Sequence, residues 1–387
     1  MARPERYDGA APAAIGQLTY GGDPRPRLTS SAMKDPGHDV TLAVTLAALG
    51  VLQAAAAVPH TADVKIDPAL AAYAPAASVS GEIVCAGNHA TDDLVVAWGR
   101  KFATFHPGCR LKLREDSQLT STAFEVVAKD SGIDLTPCAR EPFPGELKHF
   151  VERYGGLPLV VAVATGSYAT KSGTHALAFY VHADNPLSRL TVEQAREIYI
   201  KDGGITKWGD LGLTGEWADK PIHVFSLLLF RPNGSPLGMV NYFQWRILGR
   251  EAAEFRRSLY QVDDNGPGLE HHMLTNIVRQ VAADRYAIGY SGFAFRQPGT
   301  KTLRLAETAA GPFYEGTHDE VARRVYPLSR TIYLAVNAPR DRPLKPAVRE
   351  FLRFVLSRDG QQVLAEGTEK YLPLTPEYAA AERAKLK

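Results

Sequence analysis

Glu82-Ile83-Val84-Cys85-Ala86-Gly87-Asn88-His89-Ala90-Thr91 passes from a short apolar run into a polar loop, after which Leu94, Trp98 and Phe102 recur at i, i+4 and i+8. An apolar run followed at once by a one-faced helical period is a strand feeding a helix through a loop. The same unit repeats outward from this point. Residues 110–113 and 133–136 read as strands, and 122–129 and 147–154 as helices. Two longer apolar strands follow at 159–164 and 176–181. Thr191-Val192-Glu193-Gln194 fits a capping box, in which the Thr hydroxyl and the Gln side chain satisfy the free N–H groups of a first turn. The helix it opens sets Val192, Ala195, Ile198 and Tyr199 on one face. Beyond it, 222–230, 286–290 and 331–336 read as strands. Leu269, Met273, Ile277 and Val281 form a helical stripe, and Val348, Phe351, Leu352 and Val355 form the inner face of a late helix. The tail from 376 to 387 reads as a surface helix. Strands alternating with helices predict an α/β fold with mainly parallel sheets. There are too many strands for one sheet of modest size, so two α/β lobes with short strand-like hinges are expected.

The 387 residues are 45% hydrophobic and 22% charged, which excludes disorder, collagen and a multi-pass membrane protein. Lys and Arg number 44 against 42 Asp and Glu, a net charge of +2 with no basic stripe. Nucleic acid held by phosphate electrostatics is therefore not expected as a partner. Any anion must be held by local groups.

The stretch 40–58 carries no charge, has Leu42, Val44, Leu46, Leu49, Val51 and Leu52 at its core, and ends on Ala54, Ala55, Ala56 and Ala57. Lys34 precedes it, and the small-residue exit marks a cleavable export signal. Residues 1–57 are thus read as leader and signal peptide, with 1–32 arising from a start placed too early, since Met33 stands just before the signal. An uncleaved anchor is the alternative, because about 18 apolar residues barely span a bilayer. Export permits disulfides. Among Cys85, Cys109 and Cys138, a bridge between Cys85 and Cys138 across neighbouring strands is one reading, and three small buried hydrophobes is the other.

No catalytic or metal-binding residue stands out. Gly289-Tyr290-Ser291-Gly292-Phe293 lacks the last glycine of a nucleophile elbow, and no phosphate-cradling glycine loop follows a strand. His271 and His272 are adjacent, so on a helix they diverge by about 100° and make a poor ligand pair. Glu141 and Glu146 flank Pro142 and Pro144, the composition of an ordinary loop. No cofactor is expected.

Four loops instead suit an anion, which helix N-termini stabilise through unpaired N–H groups and a partial positive charge. The first is Ala86-Gly87-Asn88-His89-Ala90-Thr91, the second Thr120-Ser121-Thr122-Ala123, the third Ala139-Arg140-Glu141. The fourth, Arg231-Pro232-Asn233-Gly234-Ser235-Pro236, opens a helix with its proline in the first turn. Each alone is equally well a cap or a surface ion pair; their order along two lobes makes the case.

From about 84 to 376 the chain resembles the phosphate-binding proteins of phosphate ABC transporters, which have the type 2 periplasmic-binding-protein fold. Gly87, Trp98, Phe102 and His106-Pro107-Gly108 are similar to that family's first loop and helix. Asn185-Pro186-Leu187, Leu190-Thr191, Ile198-Tyr199 and Lys207-Trp208-Gly209-Asp210-Leu211-Gly212 resemble its second-lobe entry, and Ala287-Ile288-Gly289-Tyr290 is a further specific match. Tyr326-Pro327-Leu328-Ser329-Arg330 and Gly360-Gln361-Gln362 match the segments that close the first lobe. The resemblance implies two lobes, each a mainly parallel sheet flanked by helices, joined by a two-strand hinge. Lobe I would comprise 80–180 plus 300–387 and lobe II 184–295, with crossings near 181–185 and 295–303. It further implies a periplasmic monomer that closes on phosphate, or a related small oxyanion, and delivers it to a permease. A binding protein for another small ligand and a sensory receptor are the alternatives, with a phosphoester-processing enzyme behind them.

The ligand set implied by the resemblance is Asn88, His89, Ser121, Thr122, Arg140, Arg231, Gly234 and Ser235. It departs from the family pattern at three places. Ala139 replaces the Ser of a Ser-Arg pair, Pro236-Leu237 replaces Gly-Thr, and the first-loop donor positions fall on His89 and Ala90. Losing three charge-assisted donors would cost roughly 4–9 kcal/mol unless others substitute. The polar segment 166–175, with Ser167, Lys171, Ser172, Thr174 and His175, is one candidate source. Asp116, Glu141 and Asp264 are the candidate acceptors that would favour phosphate over sulfate.

Overall fold

The opening strand-loop-helix forms where the sequence puts it. In the computed structural model β1 is Gly81–Cys85 and α1 is Asp92–Phe105, with Leu94, Val95, Trp98 and Phe102 buried. The structure describes residues 64–88, 90–114, 123–129, 132–171, 173–230, 237–249, 253–262 and 272–386. Residues 1–57, read from the sequence as leader and signal peptide, therefore lie outside the described residues, as do Leu269 and His271. Among the described residues no helix is long and apolar enough to cross a membrane.

The first sheet takes β1, β2 (Cys109–Leu113), β3 (Leu135–Cys138) and β4 (Pro158–Thr165), with helices α2 (Ala123–Lys129) and α3 (Pro144–Tyr154) between them. The second takes β5 (Leu177–His182), β7 (His223–Leu227), β8 (Tyr260–Val262), β9 (Ala287–Gly292) and β10 (Thr300–Thr302). A small parallel pair, β6 (Arg189–Thr191) and β11 (Arg304–Ala306), flanks the second sheet. Its helices are α4 (Val192–Tyr199), α5 (Gly238–Arg246), α6 (Met273–Ala283) and α7 (His318–Ala322). The chain then returns to the first sheet as β12 (Thr331–Pro339) and ends in α8 (Pro346–Val355), α9 (Arg358–Glu366) and α10 (Pro376–Arg383).

Strand order in the first sheet is β2-β1-β3-β12-β4. β1 runs parallel to β2 and β3, whereas β12 runs antiparallel to both β3 and β4. The carboxyl ends of β1 to β4 and the start of β12 consequently share one edge. The second sheet, ordered β10-β5-β9-β7-β8, has β7 parallel to β8 and β9 and β5 antiparallel to β9. The carboxyl ends of β7, β8 and β9 therefore share an edge with the start of β5, where Leu177 pairs with Gly292. Each sheet has its own core. Ile83, Leu135, Val161, Val163 and Leu334 are fully buried in the first, and Tyr199, Phe243 and Tyr290 pack together in the second.

Local signals in the sequence translate directly. Thr191 Oγ1 accepts the Gln194 N–H at 3.0 Å while Gln194 Oε1 accepts the Thr191 N–H at 2.9 Å, the reciprocal bonds of a capping box. The four residues Val192, Ala195, Ile198 and Tyr199 are those α4 buries. The strand expected at 222–230 is shorter: β7 ends at Leu227, and Phe230 is 53% exposed.

The lobes divide at different points from those the sequence suggests. β5 and β10 pair in the second sheet, and Leu305, Val321, Tyr326 and Leu328 belong to the second core. The chain crosses near 166–168 and again near 328–331, not near 181–185 and 295–303. The two crossings lie side by side: the Gly166 N–H donates to the Arg330 carbonyl at 2.7 Å, and the Leu177 N–H to the Leu328 carbonyl at 3.1 Å. Gly166 has no room for a side chain, because a Cβ would stand 2.6 Å from the Thr174 carbonyl oxygen and 2.8 Å from Arg330 Cβ. Gly166→Ala should therefore destabilise the protein by about 1–3 kcal/mol through overpacking at the crossing. Urea denaturation reads this as a lowered midpoint; an unchanged midpoint would mean that the crossing segments yield.

Candidate functional site

In open α/β sheets ligands bind beyond the carboxyl ends of the strands, where loops rather than paired backbone face the solvent. Here that edge of the first sheet carries the 86–91 loop after β1, the 139–143 loop after β3, the 166–176 segment after β4 and Ser329-Arg330 before β12. The matching edge of the second sheet carries His175-Ala176 before β5 and Phe293-Ala294-Phe295 after β9. Both edges come together at the crossings. Phe143 from the first lobe packs on Trp245 of α5 with ring centroids 5.3 Å apart, and the Arg330 guanidinium lies over the Tyr242 ring at 4.2 Å. Tyr242 also donates its hydroxyl to the Ser329 carbonyl at 3.3 Å.

Asn88 and Arg140 are on this edge, but both hold the protein itself. The Asn88 N–H donates to Asp92 Oδ1 at 2.6 Å, and its Oδ1 accepts the Ala90 N–H at 3.2 Å, an Asx turn that launches α1. Arg140 is buried and forms a two-point ion pair with Glu146, Nη1 to Oε2 at 2.8 Å and Nη2 to Oε1 at 2.7 Å. Its guanidinium also stacks 3.6 Å from the Phe143 ring centroid. Glu146 accepts the Phe143 N–H at 2.7 Å as well, so one carboxylate caps α3 and neutralises Arg140. The loop composition around Glu141 and Glu146 thus conceals a buried ion pair. Glu141, by contrast, takes the Tyr333 hydroxyl at 2.7 Å. His89, Ser121, Thr122, Arg231, Gly234 and Ser235 lie outside the described residues, as do Asp116 and Asp264.

In the 166–175 segment, where Ser172 lies outside the described residues, residues 167 and 174 fold back on each other. Both the Ser167 N–H and its hydroxyl donate to the Thr174 carbonyl, at 2.7 and 3.1 Å, and Thr174 donates its N–H to the Tyr371 hydroxyl at 3.2 Å. Tyr371 in turn donates to the Ala90 carbonyl, tying this segment to the first loop. His175 closes the segment fully buried, its ring edge-on to Phe295 at 5.1 Å. Neither ring nitrogen has a hydrogen-bond partner among the described residues. Burial pushes its pKa down to about 4, and the positive charges of Arg330 and His272 add to this; the nearby Thr170 and Lys171 backbone counters it weakly. His175 is consequently neutral at pH 7. His272 stands at the N-terminus of α6 and caps it by accepting the Leu274 N–H at 3.2 Å.

Arg330 is the residue at this edge that loop motifs did not single out. It is 3% exposed, and its Nε and Nη2 both donate to the Ala139 carbonyl, at 3.2 and 2.7 Å. No carboxylate pairs with it among the described residues, and burial lowers its pKa from the ordinary arginine value. The cysteines supply no bridge. Cys85 pairs in register with Leu135, about 10 Å along β3 from Cys138 at ~3.3 Å per residue, and all three are buried thiols. Burial pushes Cys138 up to about 12, the behaviour of an inert core residue.

Comparison with known proteins follows the same outline. The PBP superfamily domain matches residues 72–359. The phosphate-binding protein PstS of Pseudomonas aeruginosa is 31% identical over 343 residues, covering 87% of this chain and 95% of its own. Among solved structures, PstS from Borrelia burgdorferi aligns with a TM-score of 0.53 at 14% identity, covering 76% of this chain and 100% of its own. An ABC-type phosphate transport receptor from Vibrio cholerae aligns at 0.52 and 18% identity, covering 75% and 99%. Two sheets with their carboxyl edges facing one junction, and a matched length that includes both, give a single conclusion: the chain belongs to the PBP superfamily, among the PstS phosphate-binding proteins.

Proposed function

We propose that this protein captures phosphate between its two lobes in the periplasm and delivers it to an ABC permease. The observation that carries the reading is the meeting of both carboxyl edges at one junction, in a chain 31% identical to a protein named phosphate-binding protein PstS. Lobes that touch one anion from both sides bind it more tightly closed than open, and this difference drives closure. The crossings near 166–168 and 328–331 form the hinge. Residues 1–57 act as the export signal, the binding protein works as a monomer, and it performs no chemistry on its ligand. Asn88 and Arg140 shape the first-lobe loops, while His89, Ser121, Thr122, Arg231, Gly234 and Ser235 supply donors.

A second reading, another small oxyanion or an organic phosphate, is favoured by the departures at Ala139 and Pro236-Leu237. Calorimetry distinguishes the two. Protein stripped of endogenous ligand by unfolding and refolding should bind inorganic phosphate with micromolar or tighter affinity, about −8 kcal/mol or better, with sulfate silent. Heat from glycerol phosphate but not from inorganic phosphate would transfer the assignment to the second reading.

A further inference from the structure

The two buried arginines on either side of the 139–143 loop are treated differently. Arg140 meets the Glu146 carboxylate at two points, so its charge is compensated within the protein. Arg330 is equally buried, yet what it meets is one backbone carbonyl and one aromatic face. Its remaining nitrogen, Nη1, has no hydrogen-bond partner among the described residues. An isolated charge in a protein interior costs several kilocalories per mole, and stays charged only where something of opposite sign repays that cost. No carboxylate bonds to Arg330 among the described residues; Glu141 acts on it only through space, and its carboxylate already accepts the Tyr333 hydroxyl. Among the described residues the hydroxyl of Ser329 and both ring nitrogens of His175 are further buried polar atoms at the same junction with no hydrogen-bond partner.

We propose that Arg330 is a direct ligand of the anion in the interlobe site, its guanidinium donating to a tetrahedral oxyanion held between the Ala139 loop and the Tyr242 face. This rests on the phosphate-capture reading and deepens it. Arg330 stands on the edge where the first sheet's loops converge, at the start of β12, and touches α5 of the second lobe through Tyr242. An anion there is contacted by a residue that belongs to the hinge itself, since the Arg330 carbonyl bonds Gly166 across the crossings. The bonds from Nε and Nη2 to Ala139 fix the plane of the guanidinium and leave Nη1 to reach the ligand.

Phosphate titration of the wild-type protein, Arg330→Met and Arg330→Lys tests this, with thermal unfolding of each protein in the absence of phosphate. Arg330→Met should weaken phosphate binding at least tenfold, and Arg330→Lys less, because an ammonium keeps the charge without the fork. Ligand-free Arg330→Met should unfold at or above the wild-type temperature, since removing an uncompensated buried charge relieves its desolvation. Wild-type affinity in Arg330→Met would overturn the proposal, as would a loss of ligand-free stability with affinity kept. Wild-type protein that binds no phosphate would overturn the capture reading instead. Crystals of the wild-type protein soaked in tungstate decide the matter without a variant. Anomalous density within about 3 Å of Arg330 Nη1 supports the assignment, and density elsewhere in the cleft overturns it.

Discussion

Glu146→Ala should destabilise the protein by about 3–5 kcal/mol, the cost of leaving a buried cation without its partner. The estimate follows from geometry: Arg140 and Glu146 have side chains 0% and 5% exposed, and they meet through two parallel bonds. The same substitution releases the Phe143 N–H, so the start of α3 is uncapped as well. Glu146→Gln should lose less, because its amide oxygen still accepts from that N–H. Replacing the pair together, Arg140→Met with Glu146→Leu, should recover most of the loss, since similar hydrophobic volume fills the site. Urea denaturation of the four proteins measures these effects. A Glu146→Ala variant within 1 kcal/mol of wild type would show that water reaches Arg140 and that the pair is not structurally required. The double variant also separates two roles of Arg140, since full stability with lost phosphate binding would place it in the ligand shell.

The second large effect is one of pH. His175 has its pKa pushed down to about 4 from an ordinary 6.5, chiefly by burial and then by the charges of Arg330 and His272. Lys171, whose ammonium lies over the Phe295 ring at 5.9 Å, adds a further positive charge to the same surroundings. The folded state therefore binds this proton less readily than the unfolded chain. Stability from this group is fully present above pH 6.5 and declines as pH falls towards 4, by about 3 kcal/mol in total. His175→Gln should flatten that decline in a series of denaturation curves between pH 4 and 7. Parallel pH profiles for the two proteins would show that His175 is not held neutral by the fold.

Much of the architecture was legible because it is written in short-range terms. The Thr191 capping box and the face of α8 need only neighbours within a few residues, and both appear where periodicity puts them. Lobe boundaries were less so. The runs at 159–164 and 176–181 are equally apolar, and nothing local states that the first joins one sheet and the second another. The decision is made by pairing partners more than a hundred residues away, β12 for β4 and β9 for β5. The same holds at the site. Arg140 looked like a ligand clamp because its anion, Glu146, lies six residues on, in the first turn of a helix whose two entry prolines read as a loop. Arg330 looked like a segment end because its significance lies in what surrounds it after folding: a carbonyl, a ring and, among the described residues, no carboxylate bonded to it. Chemistry that depends on a missing neighbour leaves no mark in a motif.

The position of β12 between β3 and β4 has a consequence for how the molecule is made. The second lobe is one continuous stretch of chain, complete once residue 328 has been synthesised, whereas the first sheet is then still in two pieces. The strand that joins β3 to β4 arrives last, and until then those two have no shared partner and the core around Leu334 is open. Synthesis from the N-terminus thus builds the inserted lobe first and finishes the enclosing lobe only with the final sixty or so residues.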